Sequence, residues 1–245
     1  MTVATERVEI PLEGGGTMGG YLARPQGDAT LPGVIVFMEI FGVNSHIRDV
    51  VERVAAEGYV ALAPDFFHRT GPGVEYGYDE AGMAAGMKLL NALDADEMIA
   101  DARAALAWLR GRADTTRKAG AMGFCIGGHM TYLTACETDV DAAASFYGGG
   151  IAAPQGMGGK PSTVSRTGKI SGKILCLFGE KDALIPQDQV EKIQTALAKA
   201  GVDHEVVVYP DADHGFFCDQ RATHQKAAAE DAWKRVKALF AETLS

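Results

Sequence analysis

Three residues of this 245-residue chain have the types and the order that acyl transfer through a covalent intermediate requires: Cys125, Asp182 and His214. A thiol can attack an acyl carbon, an imidazole can take and return the proton, and a carboxylate can hold the imidazole in one tautomer. Cys125 sits in Gly123-Phe124-Cys125-Ile126-Gly127-Gly128, a sulfur version of the G-x-S-x-G turn that lifts a nucleophile out between a strand and a helix. Residues 118–122 read as the end of a buried strand, and 129–136 read as a helix. Glycines at 123 and 127 would allow strand and helix to pack closely around a nucleophile held at strained backbone angles. The positive end of the helix would favour the thiolate, which is the form that attacks. Taken singly, the cysteine can be a small buried residue, Asp182 a turn former and His214 a loop residue. Their joint occurrence after three separate strands, in the order nucleophile, acid, histidine, favours the catalytic reading. Backbone N–H groups of Ile126 and Ile40 are the expected oxyanion donors. His129 is a poor alternative base, because it lies on the helix behind the turn, and no serine occupies a G-x-S-x-G of its own.

The elements that must position these residues alternate along the chain. Residues 8–12 and 21–25 read as strands of a hairpin around a glycine-rich turn. That turn matches G-x-G-x-x-G at Gly14, Gly16 and Gly19, but a strand ending in Pro25 follows where a dinucleotide site needs a helix. The apolar run 33–38 is a strand buried on both faces. It leads into Glu39, a carboxylate at the position where open α/β sheets keep functional groups, although a solvated loop acid is the plain alternative. Ser45 is the expected N-cap of a helix reaching about residue 57. Residues 58–65 are a further buried strand. The glycine-rich, aromatic stretch 66–91 is either a lid or a loop with a short helix. A helix over 92–112 begins near Asp94, and the strand and helix around Cys125 come next. Residues 141–147 form another strand. The match Gly148-Gly149-Gly150-Ile151-Ala152-Ala153 to G-x-G-x-x-A precedes Pro154 and is a second decoy. Residues 154–172 are expected to be a flexible connection. Strand 173–178, helix 187–200, strand 204–209 and helix 223–243 complete the chain. The alternation predicts a single domain over 1–245, built on one doubly wound, mostly parallel sheet.

Composition narrows the function. A formal net charge of −9 offers no basic excess for a phosphate backbone, so no nucleic-acid partner is expected. The longest apolar runs are far too short to span a bilayer, so no membrane partner is expected either. The N-terminus lacks an apolar signal segment. Four scattered cysteines without C-x-x-C spacing read as free thiols in a reducing cytoplasm. No metal-ligand spacing and no cofactor motif is present.

Met38-Glu39-Ile40-Phe41-Gly42, the Cys125 hexapeptide, Phe146-Tyr147-Gly148, Gly179-Glu180-Lys181-Asp182 and Asp213-His214-Gly215-Phe216 resemble the dienelactone hydrolase (carboxymethylenebutenolidase) family of α/β hydrolases over about residues 6–243. The resemblance implies the α/β-hydrolase fold and hydrolysis of an enol-lactone through an acyl-cysteine. It also implies that Glu39 hydrogen-bonds the resting thiol until substrate displaces it; a carboxylate beside a thiolate disfavours the anion and would keep Cys125 quiet. Part of the family binds the substrate carboxylate with arginines, one of them shortly after the catalytic histidine. Here Cys218 stands four residues after His214, which leaves Arg221 and Arg69 as candidates, with Tyr147 as a pocket residue. The expected substrate is therefore a lactone or small ester, charged or neutral. Thioesters or larger esters, acyl transfer, and a non-catalytic binding protein are the alternatives. A monomer or weak homodimer is expected.

Overall fold

A computed structural model of the protein describes residues 2–245. One eight-stranded sheet runs through them in the order β1-β2-β4-β3-β5-β6-β7-β8. The antiparallel end is made by β1 (Val3–Pro11), β2 (Thr17–Pro25) and the β2–β4 pairing. The remaining pairs, among β3 (Leu31–Phe37), β4 (Val60–Pro64), β5 (Thr115–Phe124), β6 (Ala142–Phe146), β7 (Lys173–Gly179) and β8 (His204–Tyr209), are parallel. Every residue of β4 and β6 is buried, as an apolar strand covered on both faces must be. The glycine-rich turn closes the β1–β2 hairpin, with Pro11 opposite Thr17. The two hairpin strands begin earlier than the expected 8 and 21, because β1 is mostly exposed on both faces and carries no alternation to mark its start.

Six helices flank the sheet: α1 (Ser45–Ala56), α2 (Glu80–Leu90), α3 (Ala95–Arg110), α4 (Ile126–Glu137), α5 (Gln187–Ala200) and α6 (Lys226–Thr243). Asn44, not Ser45, caps α1; its side chain accepts from the Ile47 N–H at 3.2 Å. The helix expected over 92–112 is shorter at both ends, and Asp94, inside that range, is its N-cap. The stretch 66–91 resolves into an irregular loop followed by α2. The stretch 154–172 holds short 3-10 turns at Met157–Gly159 and Thr163–Lys169. The second is tied to α4, where His129 Nε2 lies 2.8 Å from Thr163 Oγ1 and the Tyr132 hydroxyl lies 2.6 Å from that of Thr167. His129 Nδ1 also lies 2.8 Å from Gly149 O, so this buried imidazole is a structural strut. Among the described residues no helix is long and apolar enough to cross a membrane.

Candidate active site

Because β3, β5, β7 and β8 run parallel, the loops that follow them emerge at one edge of the sheet, and they carry Glu39, Cys125, Asp182 and His214. Cys125 precedes α4 with φ 58° and ψ −119°, a conformation that costs a non-glycine residue on the order of 1–3 kcal/mol. Its N–H donates to Phe146 O at 3.1 Å, and its carbonyl accepts from Gly128 and His129 at 3.0 and 3.2 Å. Close packing fixes the turn further. A Cβ at Gly127 would lie 2.3 Å from Phe37 O, and one at Gly123 would lie 2.3 Å from Gly127 O, so only hydrogen fits at either place. Cys125 is half-buried, whereas Cys136, Cys176 and Cys218 are buried.

Asp182 Oδ2 lies 2.8 Å from His214 Nδ1, and Asp182 Oδ1 accepts from the Leu184 N–H at 2.9 Å. Both side chains are buried. His214 Nε2 has no hydrogen-bond partner among the described residues, yet His214 and Cys125 line one cavity of about 510 Å³. Burial works against the imidazolium, but the Asp182 hydrogen bond and the nearby Cys125 sulfur outweigh it and push the His214 pKa up to about 10. The N–H groups of Ile126 and Ile40 have no acceptor among the described residues, and both residues line the same cavity. The first is the opening residue of α4, where an N–H has no intrahelical partner.

No hydrogen bond joins Glu39 to the Cys125 thiol among the described residues. Its fully buried carboxylate takes a hydrogen bond from Arg221 Nη1 at Oε1 (3.1 Å) and one from the Tyr78 hydroxyl at Oε2 (2.9 Å). A carboxylate removed from water needs a countercharge, and Arg221 supplies it. The guanidinium lies 5.8 Å from the Phe41 ring centroid and 5.6 Å from that of Tyr78. Arg69 is not in the cavity wall. It is held with His68 on the buried Asp101 of α3, Nη2 to Oδ1 at 2.8 Å, because that buried carboxylate also needs a cation. Tyr147 is buried without lining the cavity. Its ring packs edge-on to His214 at 5.1 Å, its φ is 38°, and its hydroxyl has no partner among the described residues. Residues unmarked in the sequence complete the wall: Met83, Met87 and Leu90 of α2, with Met157 and Leu184. The i, i+4, i+7 spacing of the first three was the available signal. α2 seats directly on the Ile40 loop at Gly86, where a Cβ would lie 2.5 Å from Ile40 O.

Ligand atoms of Glu39, His46 and Cys218 lie within 4.8 Å of one another. Burial pushes the Cys218 thiol up to about 11 and lowers the His46 pKa, so both favour their neutral forms. Arg221 already balances Glu39. The donor set therefore has no spare negative charge for a divalent ion, and no metal is assigned.

The sheet order, the strained turn before α4 and the loops at one sheet edge define an α/β-hydrolase fold. The family model described as "Dienelactone hydrolase family" matches residues 18–244. A "Putative carboxymethylenebutenolidase" of Synechocystis sp. is 47% identical over 226 residues, covering 91% of each chain. A protein of the same name from Escherichia coli is 35% identical over 94% of this chain and 84% of its own. The crystal structure of a "Putative Dienelactone Hydrolase" from Klebsiella pneumoniae superposes with a TM-score of 0.90 at 36% identity, covering 99% of this chain and 100% of that one. This chain belongs to the dienelactone hydrolase family.

Proposed function

We propose that the protein hydrolyses lactones or small carboxylic esters through an acyl-cysteine formed on Cys125, with His214 as acid–base and Asp182 as its orienting carboxylate. The observation that carries this reading is His214, fixed by Asp182 at 2.8 Å with Nε2 unpartnered, in the wall of the cavity that Cys125 lines.

In acylation, Cys125 Sγ bonds to the carbonyl carbon with its proton held on His214 Nε2, a transfer that the raised His214 pKa favours. The carbonyl π electrons move to oxygen, and that oxyanion is received by the N–H groups of Ile126 and Ile40. Collapse breaks the carbon–oxygen ester bond, and the leaving oxygen takes the proton from His214. In deacylation, water adds to the thioester carbon as its proton goes to Nε2. Collapse breaks the carbon–sulfur bond, and the sulfur regains the proton. No net redox change occurs. Asp182 keeps Nδ1 protonated, so that Nε2 always faces the reaction.

The test is turnover of a dienelactone and of 4-nitrophenyl acetate by wild type and Cys125→Ala. Both activities should vanish in the variant. A Cys125→Ala protein that keeps its rate removes the cysteine from the mechanism. A wild type that shows no burst and leaves Cys125 inert to thiol reagents would make the protein a ligand binder that kept the pocket.

A further inference from the structure

We propose that this site is built for uncharged esters or lactones whose acyl part is an apolar chain; the proposal rests on the hydrolase reading above and names its substrate class. Four large apolar side chains are exposed among the described residues, and three of them, Met83 (38%), Met87 (41%) and Leu184 (67%), line the Cys125 cavity. Exposed apolar surface gathered in one place marks a binding site. With Leu90, Met157 and Phe41 it makes a wall that is apolar and, through three methionines, adaptable to chains of different shape.

The charged groups of the wall argue in the same direction. Arg221 is its one lysine or arginine, and that guanidinium is already matched by the buried Glu39 carboxylate at 3.1 Å. An anionic substrate would have to compete with Glu39 for it. The same substrate would also meet Asp213, an exposed carboxylate in the wall, whose Oδ1 accepts from the His214 N–H at 2.6 Å. The acyl part is the portion this wall serves. It stays bound to Cys125 through both chemical steps, while the alcohol of an ester leaves after the first and that of a lactone stays tethered to the acyl chain. α2 brings Met83, Met87 and Leu90 to the acyl site because it rests on the Ile40 loop through Gly86.

The experiment measures kcat/KM for the 4-nitrophenyl esters of acetate, butyrate and hexanoate, and for the monoadipate ester, which differs from hexanoate only by a carboxylate in place of the terminal methyl. Each methylene fully removed from water contributes about four-fold. In a cavity open to solvent, hexanoate should therefore exceed acetate by about ten-fold or more. Monoadipate should fall about ten-fold or more below hexanoate, since a carboxylate is costly to desolvate without a free partner. Met87→Ser and Leu184→Ser, both exposed and safe for folding, should narrow the hexanoate-to-acetate ratio. Acetate equal to hexanoate, or monoadipate preferred, overturns the proposal while leaving the hydrolase reading intact. If no ester is turned over, the hydrolase reading fails by itself, and the substrate class is then tested by protection of Cys125 from iodoacetamide. Hexanamide should protect and adipamate should not, with the reverse order refuting the assignment; the other three cysteines are buried, so alkylation reports Cys125.

Discussion

Replacing Arg221 with Gln should destabilise the protein strongly. Among the described residues Arg221 is the only cation on a carboxylate that is fully buried, and it is itself largely buried. Removing one member of a buried pair costs about 3–5 kcal/mol, because the remaining charge is stranded. The Tyr78 hydroxyl still donates to Glu39 Oε2 at 2.9 Å and softens the loss, which places the expectation near about 3 kcal/mol. For a chain of this size that corresponds to a Tm lower by about 6–12 °C. Urea denaturation of wild type, Arg221→Gln, Glu39→Gln and the double variant at pH 7.5 reads the effect. The double variant should recover most of the loss, giving a coupling energy of about 2 kcal/mol or more. Single variants that each cost less than about 0.5 kcal/mol, the level of an ordinary surface change, would refute the reasoning.

Other expectations follow from the same geometry. Asp182→Asn should lower kcat by about 10⁴-fold through the wrong imidazole tautomer. It should also lower the His214 pKa from about 10, which an NMR titration of the imidazole would detect; an unmoved titration would mean that Asp182 does not hold the ring. Because the His214 pKa is raised in the folded state, its contribution to stability is complete below the unfolded value and is lost as pH rises through about 10. Wild type should therefore lose Tm between about pH 7 and pH 10 more steeply than His214→Gln. Gly127→Ala should cost about 3 kcal/mol or more, since its Cβ would lie 2.3 Å from Phe37 O; wild-type-like denaturation would show that β3 can yield there.

What the sequence made legible was whatever local pattern governs. The bounds of α5 and β8 coincide with the expected 187–200 and 204–209, because an amphipathic stripe and a β-branched run declare themselves within a few residues. The cap of α1 moved from Ser45 to Asn44 because two adjacent residues can both cap, and only the backbone angles choose. Partners distant in the chain were another matter. Arg221 reaches Glu39 across 182 positions, and Arg69 is taken by Asp101 on a helix that follows it. Local spacing carries no record of either choice. The stretch 154–172 read as loose for its glycines and Pro154. Its anchors, Thr163 and Thr167, are held by side chains of α4 that only the packed structure brings near.

On the proposed mechanism, the left-handed backbone at Cys125, φ 58°, sets catalysis and robustness against each other at a single position. Glycine is the residue that would relax there, and a Cys125→Gly protein should be both inert and sturdier. A side chain held where glycine would rest more easily is a strain that folding alone does not call for.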